Sequence, residues 1–303
     1  MFLYSQKLTT DNAIGGGRVA LAFEYDGRKF HGWQLQKSGV RSVQAELAKA
    51  VAKVADHPVD LVCAGRTDAR VHASYQVVHF ETPSIRSLRS WVMGINTALP
   101  FDIAVHWAGN GSEDFHARFS AIYRRYRYVI YNNPVRPGIQ RGQVSWACQE
   151  LDAERMHQAA QALAGEHDFS SFRAAGCQSR TPIRFLEQIK VTRKGHFVVI
   201  DVQANAFLHH MVRNIAGALM AVGTGKQPVS WIRDILLAKD RTLAGVTAPP
   251  HGLYLVDVGY PEGFPLPAAE CGPAFLRPWF SQAENSPVYP THIHPKQKPV
   301  QVP

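Results

Sequence analysis

"LVCAGRTDARVHASYQVVHFE", residues 61–81, sets a polar knot, Gly65-Arg66-Thr67-Asp68, between two apolar runs. Short apolar runs on either side of a turn signal read as strands, so one strand is expected to enter the knot and another to leave it over 76–82. Asp68 then has two readings. In a turn, an aspartate commonly accepts backbone N–H groups as a turn or cap residue. Alternatively its carboxylate is a reagent, since Arg66, two residues upstream on an extended segment, leaves on the same face and can hold it ionised.

The strand–knot–strand unit is embedded in a mixed pattern. Residues 18–27 read as a strand ending in Asp-Gly, and 42–56 as a helix capped by Ser42. Residues 87–100 read as a helix stopped by Pro100, and 103–110 as a strand. A second unit follows, with a strand at 125–132, a helix at 152–165 and strands at 184–195 and 196–207. Helices at 208–225 and 228–240 and a closing strand at 252–261 complete it. Strands of antiparallel type mixed with helices, in two halves, make the fold class α+β. The expected division is a flexible leader over 1–17, an N-terminal half over 18–113, a C-terminal half over 114–261 and a proline-rich, disordered tail over 262–303.

With 303 residues, 46% hydrophobic and 19% charged, the chain has the composition of a globular protein with a sizeable core. No stretch approaches a membrane span, and the first residues lack the long apolar segment of a secretory signal, so the expected location is the cytoplasm. Cys63, Cys148, Cys177 and Cys271 form no CxxC pair, which argues against a zinc knuckle and gives no reason to invoke disulfides. Thirty-three Lys and Arg against 24 Asp and Glu give a net charge of +9, drawing the chain toward a polyanion. The basic residues cluster in "FHARFSAIYRRYRYVIYN", 115–132, where Arg118, Arg124, Arg125 and Arg127 alternate with Phe and Tyr. Cations for phosphates and aromatic faces for unstacked bases are what an RNA-binding groove requires. Strand periodicity puts Arg124 and Tyr126 on one face and Arg125 and Arg127 on the other, which places Arg124 beside Tyr126 at the cleft.

Four blocks in order, "AGRTDARVHASYQVVHF", "FHARFSAIYRRYRYVIYN", "DFSSFRAAGCQSRTP" and "ANAFLHHMVRNIAGALMAVG", resemble the TruA-type tRNA pseudouridine synthases over roughly residues 18–261. The resemblance implies the pseudouridine synthase fold, two similar α/β halves with mainly antiparallel sheets flanking a central basic cleft. It implies a cofactor-free isomerase that converts uridine to pseudouridine at positions 38, 39 and 40 of the tRNA anticodon stem-loop, acting as a homodimer; the residues themselves give no pattern for a metal site. Asp68 matches the nucleophile of the family's GRTD motif, Arg213 the partner of that carboxylate, and Tyr126 the tyrosine that stacks on the target uracil. Arg66 is placed to displace the target base, and Arg118, Arg124 and Arg125 to contact phosphates. Independently of the resemblance, Tyr126 also reads as a strand-core tyrosine, and Leu253 and Leu255 as either an apolar wall beside the flipped base or plain core.

Other features carry less. His209 and His210, adjacent on the expected helix 208–225, should face different ways, with no HExxH to complete a metal site. Gly15, Gly16 and Gly17 precede no Walker spacing. "THIHPKQKP", 291–299, reads as solvated tail. The chain departs from the family at Arg70, where "TDARVHA" replaces "TDAGVHA"; if that position has positive φ, arginine there costs about 1 kcal/mol or more. A silent RNA-binding protein would keep the basic-aromatic strand without needing Asp68. A metal-dependent RNA hydrolase would need a cluster of carboxylates or histidines that the sequence does not display.

Overall fold

The computed structural model describes residues 13–264, 266–270 and 272–280. The strands are β1 (Ala13–Tyr25), β2 (Val62–Cys63), β3 (His72–Ser87), β4 (Ile103–Asn110), β5 (Tyr123–Asn132), β6 (Ser145–Ala147), β7 (Gly165–Asp168), β8 (Ile183–Lys194), β9 (Phe197–Ala204) and β10 (Leu253–Gly259). The helices are α1 (Val43–Ala55), α2 (Leu88–Ala98), α3 (Ala153–Ala160), α4 (Met211–Gly223) and α5 (Trp231–Ala238). Local chemistry sets several ends: the Ser42 side chain accepts from the Ala45 N–H at the start of α1, and Asp152 does the same for Arg155 at α3.

All ten strands belong to one sheet, with the order β4-β1-β3-β10-β5-β9-β8-β7 and β2 and β6 paired to β3 and β5. Pairing is antiparallel except for β10 with β3 and β5 with β6. The expected two sheets are therefore continuous. The last strand in sequence, β10, inserts between the halves, pairing Tyr254 with His72 and Leu255 with Ala73 on one side and Leu255 with Tyr126 on the other. This seam is where the site forms.

Alternation along the central strands separates two apolar faces. Tyr126, Tyr128, Val202 and Leu255 join the large core shared with α1, α2 and α4. Val129, Val199 and Val256 point the other way into a smaller core closed by Leu276 and Phe280. Two boundaries change accordingly. Residues 13–17, expected as leader, extend β1: Ala13 pairs with Ser87, and Trp91 Nε1 donates to the Ile14 carbonyl at 2.8 Å. The expected disordered tail is ordered over 272–280, because Leu276 and Phe280 bury against the sheet and the Phe280 ring lies 4.3 Å from the Arg127 guanidinium. Residues 1–12, the rest of the expected leader, and the tail beyond 280, with its 291–299 segment, lie outside the described residues. Among the described residues no helix is long and apolar enough to cross a membrane.

Candidate active site

The knot between β2 and β3 is held from beneath. Thr67 Oγ1 bonds the buried Tyr25 hydroxyl at 2.7 Å, the Trp33 N–H donates to the Thr67 carbonyl at 3.0 Å, and Gln76 Nε2 donates to the Gly65 carbonyl at 2.7 Å. The bracing segment comes so close that a Cβ on Gly32, at φ 97°, would lie 2.8 Å from the Thr67 oxygen. Arg70 adopts φ 65°, the left-handed region that glycine favours. Its N–H donates to the Phe30 carbonyl at 3.1 Å and its side chain is exposed, so the loop closes around the arginine at a strain of about 1 kcal/mol.

Asp68 belongs to the turn through its backbone: its carbonyl accepts the Val71 N–H at 3.2 Å. Its carboxylate caps no backbone N–H among the described residues. Instead it faces the C-terminal half, with Oδ1 3.4 Å from His209 Nε2, and Oδ2 3.5 Å from His210 Nε2 and 3.8 Å from Arg213 Nη1. Arg66 is not among its ion partners; that side chain is exposed at the rim. Arg213, in the first turn of α4, is aimed by a reciprocal clasp: its Nε donates to the Ala248 carbonyl at 2.9 Å, and the Ala248 N–H donates to the Arg213 carbonyl at 3.1 Å. The clasp requires a glycine, because a Cβ on Gly217 would stand 1.9 Å from the Val246 oxygen.

A cleft of about 900 Å³ opens over Asp68 and is lined from both halves. Arg66, Arg118, Arg124 and Arg184 are its arginines, and Asp68 is its only carboxylate among the described residues. Tyr126 and Leu253 line it while remaining 7% and 5% exposed, and the Phe207 ring meets Tyr126 edge-on at 5.0 Å. Burial first, and the Asp68 charge second, push the Tyr126 phenol well above its ordinary pKa, so it stays protonated. Leu255, one pleat further along β10, lies beneath the cleft with no exposure.

Two of the arginines expected at phosphates are engaged within the protein instead. Arg125 is 1% exposed on the opposite face of β5, where its Nε and Nη2 both bond Asp201 at 2.7 Å and Arg127 Nε adds a third bond at 2.9 Å. A guanidinium held by a buried carboxylate on the side closed by Phe280 cannot meet RNA. Arg124 is on the expected face beside Tyr126, but its donors are engaged by the carbonyls of Ala64, Arg118, Ala121 and Asn205. It ties the knot to the neighbouring loops. Arg118 and Phe119, by contrast, are exposed at the cleft mouth, with the Arg118 guanidinium 5.5 Å from the Phe119 ring.

The histidines were the residues that helical reasoning misplaced. The helix begins only at Met211, and His210, at φ 60°, sits in the turn before it. The two rings therefore lie side by side, centroids 4.0 Å apart, and both address Asp68. Burial outweighs the Asp68 charge at His210 and holds that imidazole below its ordinary pKa, neutral at pH 7. The position of a histidine pair just before an apolar helical run, at an N-terminus rather than inside it, was the available signal.

The chain is similar to known proteins over most of its length. The sequence profile described as tRNA pseudouridine synthase matches residues 21–120 and 159–261. The protein named tRNA pseudouridine synthase A from Shewanella amazonensis is 58% identical over 259 residues, covering 86% of this chain and 99% of that protein. Those of Shewanella sp. strain MR-4 and Pseudoalteromonas atlantica are 57% and 58% identical over the same length, covering 99% and 98% of their own chains. The chain belongs to the tRNA pseudouridine synthase family. Its matched segments carry the knot with Arg118 and Phe119 in the first, and Arg184, Phe207, Arg213 and Leu253 in the second, while Arg124 and Tyr126 on β5 fall between them. In a pseudouridine synthase this arrangement offers one carboxylate, with an arginine 3.8 Å away, beside an aromatic and an aliphatic surface that can sandwich a flat base.

Proposed function

We propose that this chain isomerises uridine to pseudouridine at positions 38, 39 and 40 of the tRNA anticodon stem-loop, with Asp68 as nucleophile. The observation that carries the proposal is the orientation of Asp68: a carboxylate that the turn does not use, facing a cleft built from both halves and paired with Arg213. Isomerisation breaks the uracil N1–ribose C1′ bond, turns the ring and forms a C5–C1′ bond, while C5 loses a proton and N1 gains one. A carboxylate serves this by adding to C1′ or to C6, or by acting as base at the sugar, and each route needs it ionised. The change is redox-neutral, so the chemistry calls for no cofactor.

The surrounding residues supply binding. The uridine is flipped from its stack onto Tyr126 and against Leu253, with Arg66 taking up the space it leaves. Arg118 and Phe119 meet the backbone and an unstacked base at the mouth, making the cleft the basic channel for the anticodon arm. The working unit is a homodimer in the cytoplasm. A silent tRNA-binding protein is the competing reading, and Asp68→Asn separates the two. Turnover should vanish while tRNA affinity changes by less than about tenfold, roughly 1.4 kcal/mol, because the carboxylate is a reagent and not an RNA anchor. Pseudouridine formation by the purified variant would refute the proposal.

A further inference from the structure

The three side chains at the floor of the cleft have metal-ligand chemistry as well as catalytic geometry. One donor atom from each of Asp68, His209 and His210 lies within 4.8 Å of the other two. The two carboxylate–imidazole separations are 3.4 and 3.5 Å. A tetrahedral Zn²⁺ with bonds of about 2.0–2.1 Å requires donor pairs about 3.3–3.4 Å apart, the edge of its coordination tetrahedron. The two separations run to different carboxylate oxygens, Oδ1 toward His209 and Oδ2 toward His210, so each imidazole already stands about one tetrahedral edge from the carboxylate. Bringing one oxygen to both nitrogens takes a reorientation of the Asp68 carboxylate and of the two imidazoles, whose ring centroids are 4.0 Å apart and whose donor atoms already lie within 4.8 Å of that oxygen.

We propose that Asp68, His209 and His210 form an inhibitory Zn²⁺ site, open to the cleft at its fourth position, and that the bound ion silences the enzyme by occupying the carboxylate the reaction needs. Two further features support it. The ligands are partly accessible, with side-chain exposures of 25%, 43% and 28%, so an ion and its water can enter. The turn that carries the histidines is braced: the His209 N–H donates to Cys177 Sγ at 3.4 Å, the His209 carbonyl accepts the Ala174 N–H at 3.1 Å, and the Met211 N–H donates to the Leu208 carbonyl at 3.0 Å. Two features set the strength. Arg213, 3.8 Å from Oδ2, opposes a cation, as does the nearby N-terminus of α4. The ion is consequently a removable inhibitor, not a structural metal, and a tRNA uridine placed against Asp68 must displace it.

The binding part of this proposal stands independently of the pseudouridine synthase mechanism; the inhibition rests on Asp68 being the reagent. Zn²⁺ titrated into the full chain against a chromogenic chelator, without tRNA, should reveal one competing equivalent. His209→Gln, His210→Gln and Asp68→Asn should each weaken it at least tenfold, whereas His196→Gln, at an exposed histidine outside the cleft, should not. His209 is the more exposed of the pair and its variant guards against a folding defect, monitored by circular dichroism. In parallel, Zn²⁺ should suppress wild-type pseudouridine formation and EDTA should restore it, with Mg²⁺ in excess to keep the tRNA folded. Absence of a competing equivalent, or equal affinity in the wild type and the three variants, overturns the site. One equivalent bound at these ligands with undiminished turnover leaves the site standing and overturns the inhibition, and with it the role of Asp68.

Discussion

Replacing Arg124 by alanine distinguishes a guanidinium that organises the cleft from one that holds RNA. Its Nε and Nη2 reach the Ala64 carbonyl at 3.2 and 2.9 Å, and Nη1 reaches Ala121 and Asn205 at 3.0 and 3.1 Å, while Nη2 also donates to Arg118. Hydrogen bonds from a charged donor contribute roughly 1.5–3 kcal/mol each, but much of that sum is offset by desolvating the guanidinium. The same burial lowers the Arg124 pKa. Removing the side chain leaves four carbonyls facing a vacated, partly wet space, for a net loss of roughly 3 kcal/mol. At about 2 °C per kcal/mol for a chain of this length, Tm should fall by about 6 °C. Turnover should fall too, because Ala64 leads directly into the knot that carries Asp68. The slope of log affinity for tRNA against log KCl should not change. Arg118→Ala should behave in the opposite way, with Tm preserved and the slope reduced by roughly 0.7–0.9 for one lost phosphate contact. The assays are differential scanning calorimetry and tRNA titration over a range of KCl. A flattened slope with unchanged Tm in Arg124→Ala would refute the assignment.

Two further outcomes are expected. His79 accepts the Ala117 N–H at Nδ1, 3.1 Å away, and burial, reinforced by His116 and Arg18, pulls its pKa down from 6.5 to about 4. Between those values the unfolded chain takes up a proton that the folded one refuses, so stability should fall as pH drops from 6.5 toward 4. His79→Gln should flatten that part of the profile, measured as urea midpoint against pH, and an unaltered profile would exclude His79 as its source. Phe280→Ala should lower stability by about 3 kcal/mol in urea unfolding while leaving pseudouridine formation by the folded protein intact, because the ring closes the small core on the sheet face away from the cleft. A tail without packing would give no change.

Periodicity and caps made much of the secondary structure readable. The strand at 103–110 coincides with β4, and Ser42 caps α1 as expected. The departures occur where a partner far along the chain decides. Residues 152–165 look like one helix, but α3 stops at Ala160 and the chain enters β7 at Gly165 to pair with β8. The continuity of the sheet was not readable either, since it depends on β10 returning to lie between β3 and β5.

For the site, the sequence by itself determined which residue types were available: an aspartate in a polar knot, a strand alternating arginine with tyrosine, and a histidine pair ahead of an apolar helix. It also determined that Arg124 shares a face with Tyr126, because strand geometry requires it. Only the tertiary structure decided what each residue could touch. Arg125 and Arg127 became core residues because Asp201, on the neighbouring strand, accepts hydrogen bonds from both on the face closed by Phe280. Arg124 became a brace because four carbonyls from separate loops converge on it. The Asp68 carboxylate faces out of its turn, toward His209, His210 and Arg213, which arrive opposite it from the other half. Alternation along a strand is a property of covalent geometry and is written locally. Whether a charge meets water, a carbonyl or a counter-charge is set by segments brought together when the sheet closes over its seam.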